Sequence, residues 1–528
     1  MIKKIKPISA KRKDVKLKTA AGTKKIEQDD RIDLVIIGAG PAGLSAAAEA
    51  AKNKLDVLLI DKNDIAGGQL YKQIHKFFGS TRHGAGQRGF EIADLLYKEC
   101  TRYKVKIMLE AVCAGVFFDQ GIEVSIIKNE RLQQIKCKHL IISSGAKEKT
   151  MAFPGWDLPN IMGAGAVQTL VNLHRVIPGK RVLMVGSGNV GLIVSYQLIQ
   201  AGMEVAGIVE LGNKCSGYYV HYAKLKRLNV PFYFSHTVKE AEGNDGVEQV
   251  TIVRVTERGR YVPETEKKIP ADLICLAIGL KPQSELCQVA GCKMYYNVRL
   301  NQVIPVYNDE METTINNIYV AGDASGAEEA SIAMEQGKLA AISIAAKSGK
   351  VNKRLRNKYK TEINKNIAQL RAYRKMFAKC RKKDIDRWRR KKGAVAVLDC
   401  NEDIPCDACR KICHRSAIKM DRDITSIPSI DLNKCRGCGL CIPYCPGLAI
   451  FVIDDTFSND RSLVKLPYEL LPVPREGKVV DAVDKNGKIL CEAKVIKVDN
   501  QRKNNKTKVI SIALPKRFSN SARGIKMR

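Results

Sequence analysis

The sequence predicts an α/β protein with two nested Rossmann-like domains, followed by a helical linker, a cysteine-rich α+β domain and a small β domain. Three observations lead to this prediction. A strand–glycine turn–helix pattern occurs twice, eight of the 17 cysteines lie between residues 400 and 445, and alternating apolar runs flank Asn486 and Gly487 near the end of the chain. Repeated strand–helix units favour parallel sheets, and the alternating runs favour a hairpin.

The first glycine motif follows the apolar run 33–37 and precedes the helix-like run 44–51. Its glycines occupy the three positions of a dinucleotide-binding turn, namely Gly38, Gly40 and Gly43. The first makes the tight turn, the second lets a pyrophosphate approach the backbone, and the third lets the helix pack on the strand. The helix N-terminus then offers free N–H groups to the phosphates.

An acidic residue follows this motif where a ribose ligand is expected. The strand predicted at 57–60 ends in Asp61, about 20 residues after the glycines, and a carboxylate there accepts hydrogen bonds from ribose hydroxyls. A glycine motif alone also occurs in ordinary strand–helix turns, but the combination favours a nucleotide site. It does not by itself distinguish FAD from NAD.

The second motif repeats this order later in the chain. A strand predicted at 181–185 precedes the glycines, and a strand predicted at 205–209 ends in Glu210. The glycines are Gly186, Gly188 and Gly191. A carboxylate at Glu210 suits the free 2′-hydroxyl of NAD and repels the 2′-phosphate of NADP, and no arginine follows directly. The sequence therefore favours NAD(H) at this motif.

Two apolar runs are predicted to be strands that return beneath a nucleotide. They cover 140–142 and 273–278, and they lead into small-residue turns at Gly145 and Gly279. The second glycine motif lies between them, so one nucleotide domain is predicted to interrupt the other.

Two further turns are candidate flavin contacts. Gly68 and Gln69 follow Gly67 in a loop on which a flat ring would lie, although a plain loop is the alternative. A strand predicted at 317–321 ends at Gly322 and Asp323, and the Asp323 carboxylate is placed to accept a hydrogen bond from a ribityl chain.

Together these motifs resemble the large family of flavoproteins with two nested dinucleotide-binding domains, which includes thioredoxin reductase. The resemblance covers about 31–349. It implies that the first glycine motif and the turn at Asp323 bind FAD, and that the second motif binds NAD(P)H. Asp61 stands where the family more commonly has Glu, and Ser143-Ser144-Gly145 replaces the common Ala-Thr-Gly.

Disulfide reductases of that family carry a redox-active cysteine pair beside the flavin or early in the NAD domain. The corresponding stretches here, 67–69 and 162–168, contain no cysteine, so disulfide reduction is disfavoured. The two stretches resemble a narrower branch, the FAD/NAD-type subunits of heteromeric sarcosine oxidase, opine oxidase, proline dehydrogenase and hydrogen cyanide synthase. In that branch a second flavoprotein subunit of the amine-oxidase type usually oxidises the amine.

The second cysteine run has the C-x2-C-x2-C-x3-C-P spacing of bacterial ferredoxins. Its members are Cys435, Cys438, Cys441 and Cys445. Three closely spaced thiolates bind one iron–sulfur cube, and the fourth reaches the neighbouring cube. Zinc is the alternative, but zinc sites usually use separated cysteine pairs.

The first cysteine run is irregular. Asp403 occupies the usual first ligand position, Cys400 lies three residues earlier, and His414 stands where proline is expected. By the crossed ligand rule, the cluster I site comprises Cys400, Cys406, Cys409 and Cys445. The cluster II site comprises Cys413, Cys435, Cys438 and Cys441. If Cys400 is not a ligand, either Asp403 is the fourth ligand or the site holds a three-iron cluster. The resemblance to two-cluster ferredoxins covers about 395–455.

Composition and cysteine distribution bear on compartment. The chain has 528 residues, 45% of them apolar, and no run long enough to span a bilayer. Segment 1–30 is lysine-rich and lacks the apolar core of a signal peptide, so we expect a disordered basic tail, with a transit peptide as the alternative. Ligand-like cysteine spacing, rather than a disulfide framework, favours a reducing cytoplasm.

The net charge of +34 falls largely in segments 1–30 and 351–392. Apolar residues recur every three or four positions from Leu355 to Phe377, interrupted by Arg374, which predicts one or two basic amphipathic helices docked on the flavin domain. A basic surface suits an acidic partner, nucleic acid or anionic lipid, and general solubility is the alternative. No motif supports specific nucleic-acid recognition or a membrane helix.

The predicted domains follow in chain order: a basic tail (1–30), the FAD-binding domain in two parts (31–165 and 281–350) around the NAD(P)-binding domain (166–280), a helical linker (351–394), a 4Fe-4S ferredoxin-type domain (395–457) and a small β domain (458–528).

The predicted function is that of an oxidoreductase that uses FAD, NAD(H) and two [4Fe-4S] clusters. No acid–base or nucleophilic residue stands out in the sequence, and none is assigned as catalytic. A flavin is needed because NADH carries two electrons and each cluster carries one. We expect a subunit of an amine or amino-acid dehydrogenase, whose partner is an amine-oxidising flavoprotein or an acidic electron-transfer protein. The alternatives are a stand-alone NADH:ferredoxin or acceptor reductase and a non-enzymatic basic scaffold, which the paired motifs oppose.

Overall fold

The computed structural model describes residues 32–118, 121–298, 300–372 and 393–528. The predicted basic tail and the second half of the predicted linker, including Arg374 and Phe377, lie outside the described residues. Among the helices that are described, none combines the length and the apolar character needed to cross a membrane.

The outer domain begins with the first glycine motif. Its first elements are β1 (Ile32–Ile37), α1 (Pro41–Lys52), β2 (Val57–Ile60), α2 (Gly89–Arg102), β3 (Lys106–Met108), β4 (Ala111–Phe118), β5 (Ile122–Lys128), β6 (Arg131–Ile142) and β7 (Ala146–Glu148). The sheet order is β3–β2–β1–β6–β5–β4, parallel from β3 to β6 and antiparallel beyond. Strand β2 is buried along its whole length, as expected of a parallel strand covered on both faces.

The inner domain interrupts the outer domain. Its elements are β8 (Ile161–Gly163), α3 (Ala164–Gln168), β9 (Arg181–Val185), α4 (Asn189–Gln200), β10 (Glu204–Glu210), α5 (Tyr219–Lys226), β11 (Phe232–Phe234), β12 (His236–Glu242), β13 (Gln249–Arg254), β14 (Lys267–Pro270) and β15 (Leu273–Leu276). A parallel sheet runs β11–β10–β9–β15–β8, and β12–β13–β14 form a separate antiparallel sheet. Because β8 pairs with β15, the chain enters this domain before residue 161, earlier than the boundary predicted at 165.

The chain then returns to the outer domain. The returning elements are β16 (Leu280–Pro282), α6 (Glu285–Val289), β17 (Met294–Asn297), β18 (Gln302–Pro305), β19 (Ile318–Val320), α7 (Ala330–Lys347) and α8 (Lys353–Arg371). Strand β16 pairs with β7, so the two connections between the domains form one antiparallel ribbon, and β19 pairs with β6. Helix α8 buries Ile363, Ile367 and Leu370 in the core that α7 shares with α1, whereas Leu355 is exposed. The described half of the linker is thus an amphipathic helix docked on the outer domain.

The C-terminal domain covers 393–528. Its elements are β20 (Val395–Leu398), α9 (Ala408–Ile412), β21 (Ile418–Lys419), β22 (Ser429–Ile430), α10 (Cys441–Tyr444), β23 (Ile450–Asp454), β24 (Arg461–Tyr468), β25 (Val479–Val483), β26 (Ile489–Asp499), β27 (Lys508–Pro515) and β28 (Gly524–Lys526). One sheet runs β20–β23–β24–β27–β26–β25–β28. Both sides of the boundary predicted at 457 therefore share one sheet and one core, and Asn486 and Gly487 lie in the predicted turn between β25 and β26.

Candidate functional site

The three glycines of the first motif meet different surroundings. Gly38 has a φ of 102°, and a Cβ added there would collide with the carbonyl oxygen of Ser143 on the neighbouring strand. A Cβ at Gly43 would collide with the carbonyl oxygen of Gly38. A Cβ at Gly40 would meet no atom within 4 Å. Gly40 therefore leaves open space at the N-terminus of α1, which fits a phosphate group.

The second motif repeats these surroundings at each position. Gly186 has a φ of 103° and lies against the carbonyl of Ala277, and Gly191 lies against the carbonyl of Gly186. Beside Gly188 the nearest atom to an added Cβ is the hydroxyl of Ser216, at 4.0 Å. The N-terminus of α4 therefore has the same open approach as that of α1.

The two predicted ribose ligands lie beside these turns. Asp61 Oδ2 accepts a hydrogen bond of 2.6 Å from the backbone N–H of Ala39, inside the first motif. Glu210 Oε2 accepts from the backbone N–H of Ser187 at 3.0 Å and from its hydroxyl at 2.5 Å, inside the second motif. Each carboxylate is thus fixed at the edge of its glycine turn, as a ribose ligand requires.

The loop at Gly68 lies directly on the first motif. The N–H of Gly67 donates to the carbonyl of Ala39 at 2.8 Å, and a Cβ added to Gly68 would lie 2.9 Å from Gly40 Cα. Gln69 is exposed at the end of this contact. The structure therefore brings the predicted ring-binding loop to the edge of the predicted phosphate site.

The turn at Gly322 and Asp323 reaches the same helix from the other side. Gly322 has a φ of 69°, and an added Cβ there would lie 2.8 Å from Ala42 Cβ on α1. Burial raises the pKa of Asp323 to about 6, and its Oδ1 accepts a long hydrogen bond of 3.3 Å from the N–H of Glu328. A half-buried carboxyl that accepts one long hydrogen bond has acceptor capacity left for ribityl hydroxyls.

Two glycines follow the strands that return beneath the motifs. Gly145, after β6, has a φ of 80° and open space at its Cβ position. Gly279, after β15, has a φ of 117° and faces the Lys149 side chain at 3.6 Å. Each glycine therefore follows the strand next to its own glycine motif, since β6 pairs with β1 and β15 pairs with β9. The two strands belong to separate sheets.

The thiols of the cluster I site lie near one another, with Cys409 and Cys445 buried and Cys400 and Cys406 partly buried. Burial raises the pKa of the Cys400 thiol well above its ordinary value, and Cys445 and Cys409 raise it further. Burial likewise raises the pKa of Cys406, with further increases from Cys409, Cys445 and Cys400. Cys400 thus lies within electrostatic reach of the other three thiols, as the crossed ligand assignment requires.

The two cysteine runs end in matching backbone contacts. The N–H of Ala417 points at Cys413 Sγ at 3.3 Å, and the N–H of Ala449 points at Cys445 Sγ at 3.4 Å. Such N–H···S contacts are among the interactions that tune iron–sulfur clusters. In the cluster II site Cys441 interacts with Cys438 and Cys435, whose Sγ accepts from Ala396 N–H at 3.4 Å.

Across the described ranges, no three His, Cys, Asp or Glu side chains converge tightly enough to hold a single ion. The choice between zinc and iron–sulfur clusters therefore rests on the C-x2-C-x2-C-x3-C-P spacing of the second cysteine run.

The cluster I loop is joined to the outer domain through its backbone. Gly79 N–H donates to the carbonyl of Pro405 at 2.8 Å, and Gly79 forms a parallel bridge with Cys406. Thr81 N–H donates to Asp407 Oδ1 at 2.8 Å. The chain segment that carries Gly68 thus continues into direct contact with the cluster I site.

The inner domain contacts the same loop. Tyr219 N–H donates to Glu402 Oε2 at 2.7 Å, two residues beyond Cys400 in sequence. The N–H of the preceding Tyr218 donates to Asn189 Oδ1, at the start of α4, at 2.8 Å. One turn therefore connects the second glycine motif to the cluster I site.

Two buried lysines beside Cys445 were not predicted from the sequence. Lys76 Nζ donates to Thr507 Oγ1 at 2.7 Å and to the carbonyl of Pro443, and burial lowers its pKa to about 8. Burial also lowers the pKa of Lys224 to about 8. Both lysines oppose the burial-driven rise in the pKa of Cys445. Neither lies in a recognisable motif, so only the fold reveals this contact.

Comparison with known proteins agrees with this geometry. Residues 32–337, more than half of the chain, match the family described as pyridine nucleotide-disulphide oxidoreductase. The chain belongs to this family. Residues 428–451 match the 4Fe-4S binding domain, a range that contains the second cysteine run and not the first. The protein is thus a flavin- and pyridine nucleotide-linked oxidoreductase with a 4Fe-4S domain, which confirms the predicted enzyme class, and the second cluster stays a prediction.

Individual relatives belong to the branch predicted from the sequence. An opine oxidase subunit of Agrobacterium tumefaciens (strain Ach5) is 28% identical over 334 residues, 60% of this chain and 66% of that protein. Hydrogen cyanide synthase subunit HcnB of Pseudomonas protegens is 23% identical over 469 residues, 83% of this chain and 96% of that protein. The chain thus spans just under two thirds of the opine oxidase relative.

A solved structure supports the fold of the two nested domains. The thioredoxin reductase of T. acidophilum is 25% identical, with a TM-score of 0.50, and the match covers 60% of this chain and 99% of that one. The C-terminal domain therefore lies beyond the family fold.

Proposed function

We propose that this protein passes electrons between NAD(H), FAD and two [4Fe-4S] clusters, as a subunit of an amine or amino-acid dehydrogenase. When bound, FAD would supply the exchange between electron pairs and single electrons. The chain itself would bind and orient the cofactors: Gly40 and Asp323 for FAD, Gly188 and Glu210 for NAD(H), and the eight clustered cysteines for iron. No side chain is assigned an acid–base or nucleophilic role.

One observation carries the proposal. The cluster I loop contacts the outer domain at Gly79 and the inner domain at Tyr219. A metal site with a purely structural role would not need to contact either nucleotide domain. An electron-transfer site, in contrast, must lie close to the flavin. The cluster II site has the exposed Cys438 among its ligands, which supports the order NAD(H), FAD, cluster I, cluster II.

The role within a larger enzyme rests on the relatives. The opine oxidase relative and HcnB are both named as subunits, so their enzymes are assembled from more than one chain. We propose that an amine-oxidising flavoprotein partner performs the substrate oxidation here as well. The preference for NAD(H) over NADP(H) rests on Glu210, whose carboxylate would repel a 2′-phosphate.

Anaerobic purification followed by NADH addition tests this proposal. We expect one FAD, about eight irons and about eight labile sulfides per chain, with NADH reducing the flavin and both clusters. The protein alone should not oxidise sarcosine, proline or opines, and adding the partner flavoprotein should restore that activity. Stoichiometric zinc without labile sulfide, or rapid amine oxidation by the isolated chain, would contradict the proposal.

A further inference from the structure

The two cluster sites face different surroundings, and the charges around them differ accordingly. On the cluster I side, acidic residues bind neighbouring domains. Glu402 accepts from Tyr219 N–H, Asp407 accepts from Thr81, and Asp423 accepts from the Gln369 side chain on α8 at 3.4 Å. These carboxylates are thus engaged in contacts with the nucleotide-binding part of the chain.

On the cluster II side, the flanking residues are basic and exposed. Three of them lie within two residues of a predicted cluster II ligand and of no cluster I ligand, and we call them the basic rim: Arg415, Lys434 and Arg436. Within the described ranges, none of the three has a carboxylate oxygen within 4 Å. Their charge is therefore presented to solvent rather than neutralised within the chain.

Backbone hydrogen bonds bring the two halves of the rim together. Ala417 N–H points at Cys413 Sγ, and the Ala417 carbonyl accepts from Asp431 N–H at 2.8 Å. The Asp431 carbonyl in turn accepts from Cys435 N–H at 3.0 Å. Because three consecutive contacts join Cys413 to Cys435, the segments that carry the basic residues are neighbours in the fold. Among the eight predicted ligands, only Cys438 is exposed, so this is also where the metal site approaches the surface.

We infer that the basic rim is the docking surface for an acidic one-electron carrier protein of the ferredoxin type. The inference rests on the proposed function and adds the place of electron exchange and the chemistry of its partner. Uncompensated positive charge beside an exposed redox site attracts a negatively charged carrier, orients it and accelerates its association. For each NADH oxidised to NAD⁺ with release of one proton, two ferredoxin molecules each accept one electron.

Charge reversal on the rim tests this inference. The probe is a purified acidic two-cluster ferredoxin, reduced by the full-length holoprotein with NADH, with cytochrome c as the final electron acceptor and the ferredoxin-independent rate subtracted. K434E/R436E and R415E should each raise the KM for ferredoxin at low ionic strength, by about tenfold for the double variant, and weaken its salt dependence. The matched control R258E/R260E, an equal charge change on an exposed loop of the inner domain, should leave that KM unchanged.

Two further measurements separate the possible failures. Turnover of NADH with a neutral quinone and the EPR spectrum of the NADH-reduced clusters should be the same in all variants, which excludes loss of the cluster as the cause. If NADH reduces the clusters but both rim variants keep the original KM for ferredoxin, the docking inference is wrong and the proposed function stands. If the rim variants instead lose only the binding of the amine-oxidising flavoprotein, the rim belongs to that partner and the ferredoxin inference is likewise wrong. If NADH reduces no cluster in the unmodified protein, the proposed function itself fails.

Discussion

Two features of this chain occur twice, and the two duplications differ. The glycine motifs are near copies in three dimensions, since each has two glycines packed against backbone carbonyls and one facing open space. The cysteine runs share an N–H···S contact at their ends, yet the cluster I site lies against both nucleotide domains, whereas the cluster II site includes an exposed thiol. Under the proposed function, the two nucleotide sites differ mainly in the cofactor that they bind, whereas the two cluster sites differ in position, which gives electron transfer through them a direction.

The largest expected effect comes from removing one cluster at a time. Cys409→Ser and Cys441→Ser should each lower the iron content by about four per chain and reduce ferredoxin-dependent turnover to near background. NADH should still reduce the remaining cluster in Cys441→Ser, because cluster I contacts the nucleotide domains. In Cys409→Ser the remaining cluster should stay oxidised with NADH and become reduced with dithionite, as monitored by EPR. Equal reduction of the remaining cluster by NADH in both variants would contradict the proposed direction of electron transfer from cluster I to cluster II.

The glycine motifs offer a second test, in which neighbouring glycines have opposite effects. Gly43→Ala should destabilise the protein by about 1–3 kcal/mol or more, because its methyl group would meet a backbone carbonyl. Gly40→Ala should keep the thermal stability of the apoprotein but lose FAD, because its methyl group enters the open phosphate approach. Thermal unfolding of apoprotein and flavin content after gel filtration measure the two effects. Full FAD retention in Gly40→Ala would show that the pyrophosphate of FAD does not approach the backbone at Gly40.

The irregular first run offers a third test. Cys400→Ser should lower the iron content or alter the cluster I EPR signal, whereas the matched change Asp403→Asn should alter neither. The reason is that Cys400 interacts electrostatically with Cys409 and Cys445. The opposite pattern would make Asp403 the ligand and shift the site towards a three-iron cluster.

The smallest expected effect concerns nucleotide choice. Glu210→Ala should narrow the preference for NADH over NADPH by roughly tenfold, the value of a charged hydrogen bond. Glu210→Gln is the control that removes the charge but keeps the hydrogen bond, because its amide oxygen can still accept from the Ser187 N–H that Glu210 binds. Stopped-flow absorbance measures the rates at which NADH and NADPH reduce the flavin. Faster reduction by NADPH in the unmodified protein would overturn the assignment.

Much of the nucleotide-binding region could be predicted because its signals are local. A buried strand, three glycines and an acid at fixed spacing determine a turn, and the structure has that turn at both Gly40 and Gly188. The enzyme class and the 4Fe-4S domain followed from the same kind of signal. The prediction that Gly68 lies beside a flavin gained its main support from the resemblance to a family, since two glycines alone also form plain loops.

The remaining features depend on contacts between distant parts of the chain. No pattern near Lys76 indicates that it will be buried against Pro443, because burial of a lysine depends on hydrogen bonds formed only in the folded protein. The bridge between Gly79 and Cys406 has no sequence signature either. The predicted boundary at 457 lies in the connection between β23 and β24, and alternating strands do not reveal which neighbour they will pair with.

The most direct test of the account is the order in which NADH reduces the three redox centres. Stopped-flow absorbance follows the flavin, and rapid freeze-quench EPR follows the clusters, with signals assigned from the single-cluster variants Cys409→Ser and Cys441→Ser. We expect that NADH reduces the flavin first, cluster I next and cluster II last. Reduction of cluster II before cluster I, or clusters that respond to dithionite but not to NADH, would contradict it.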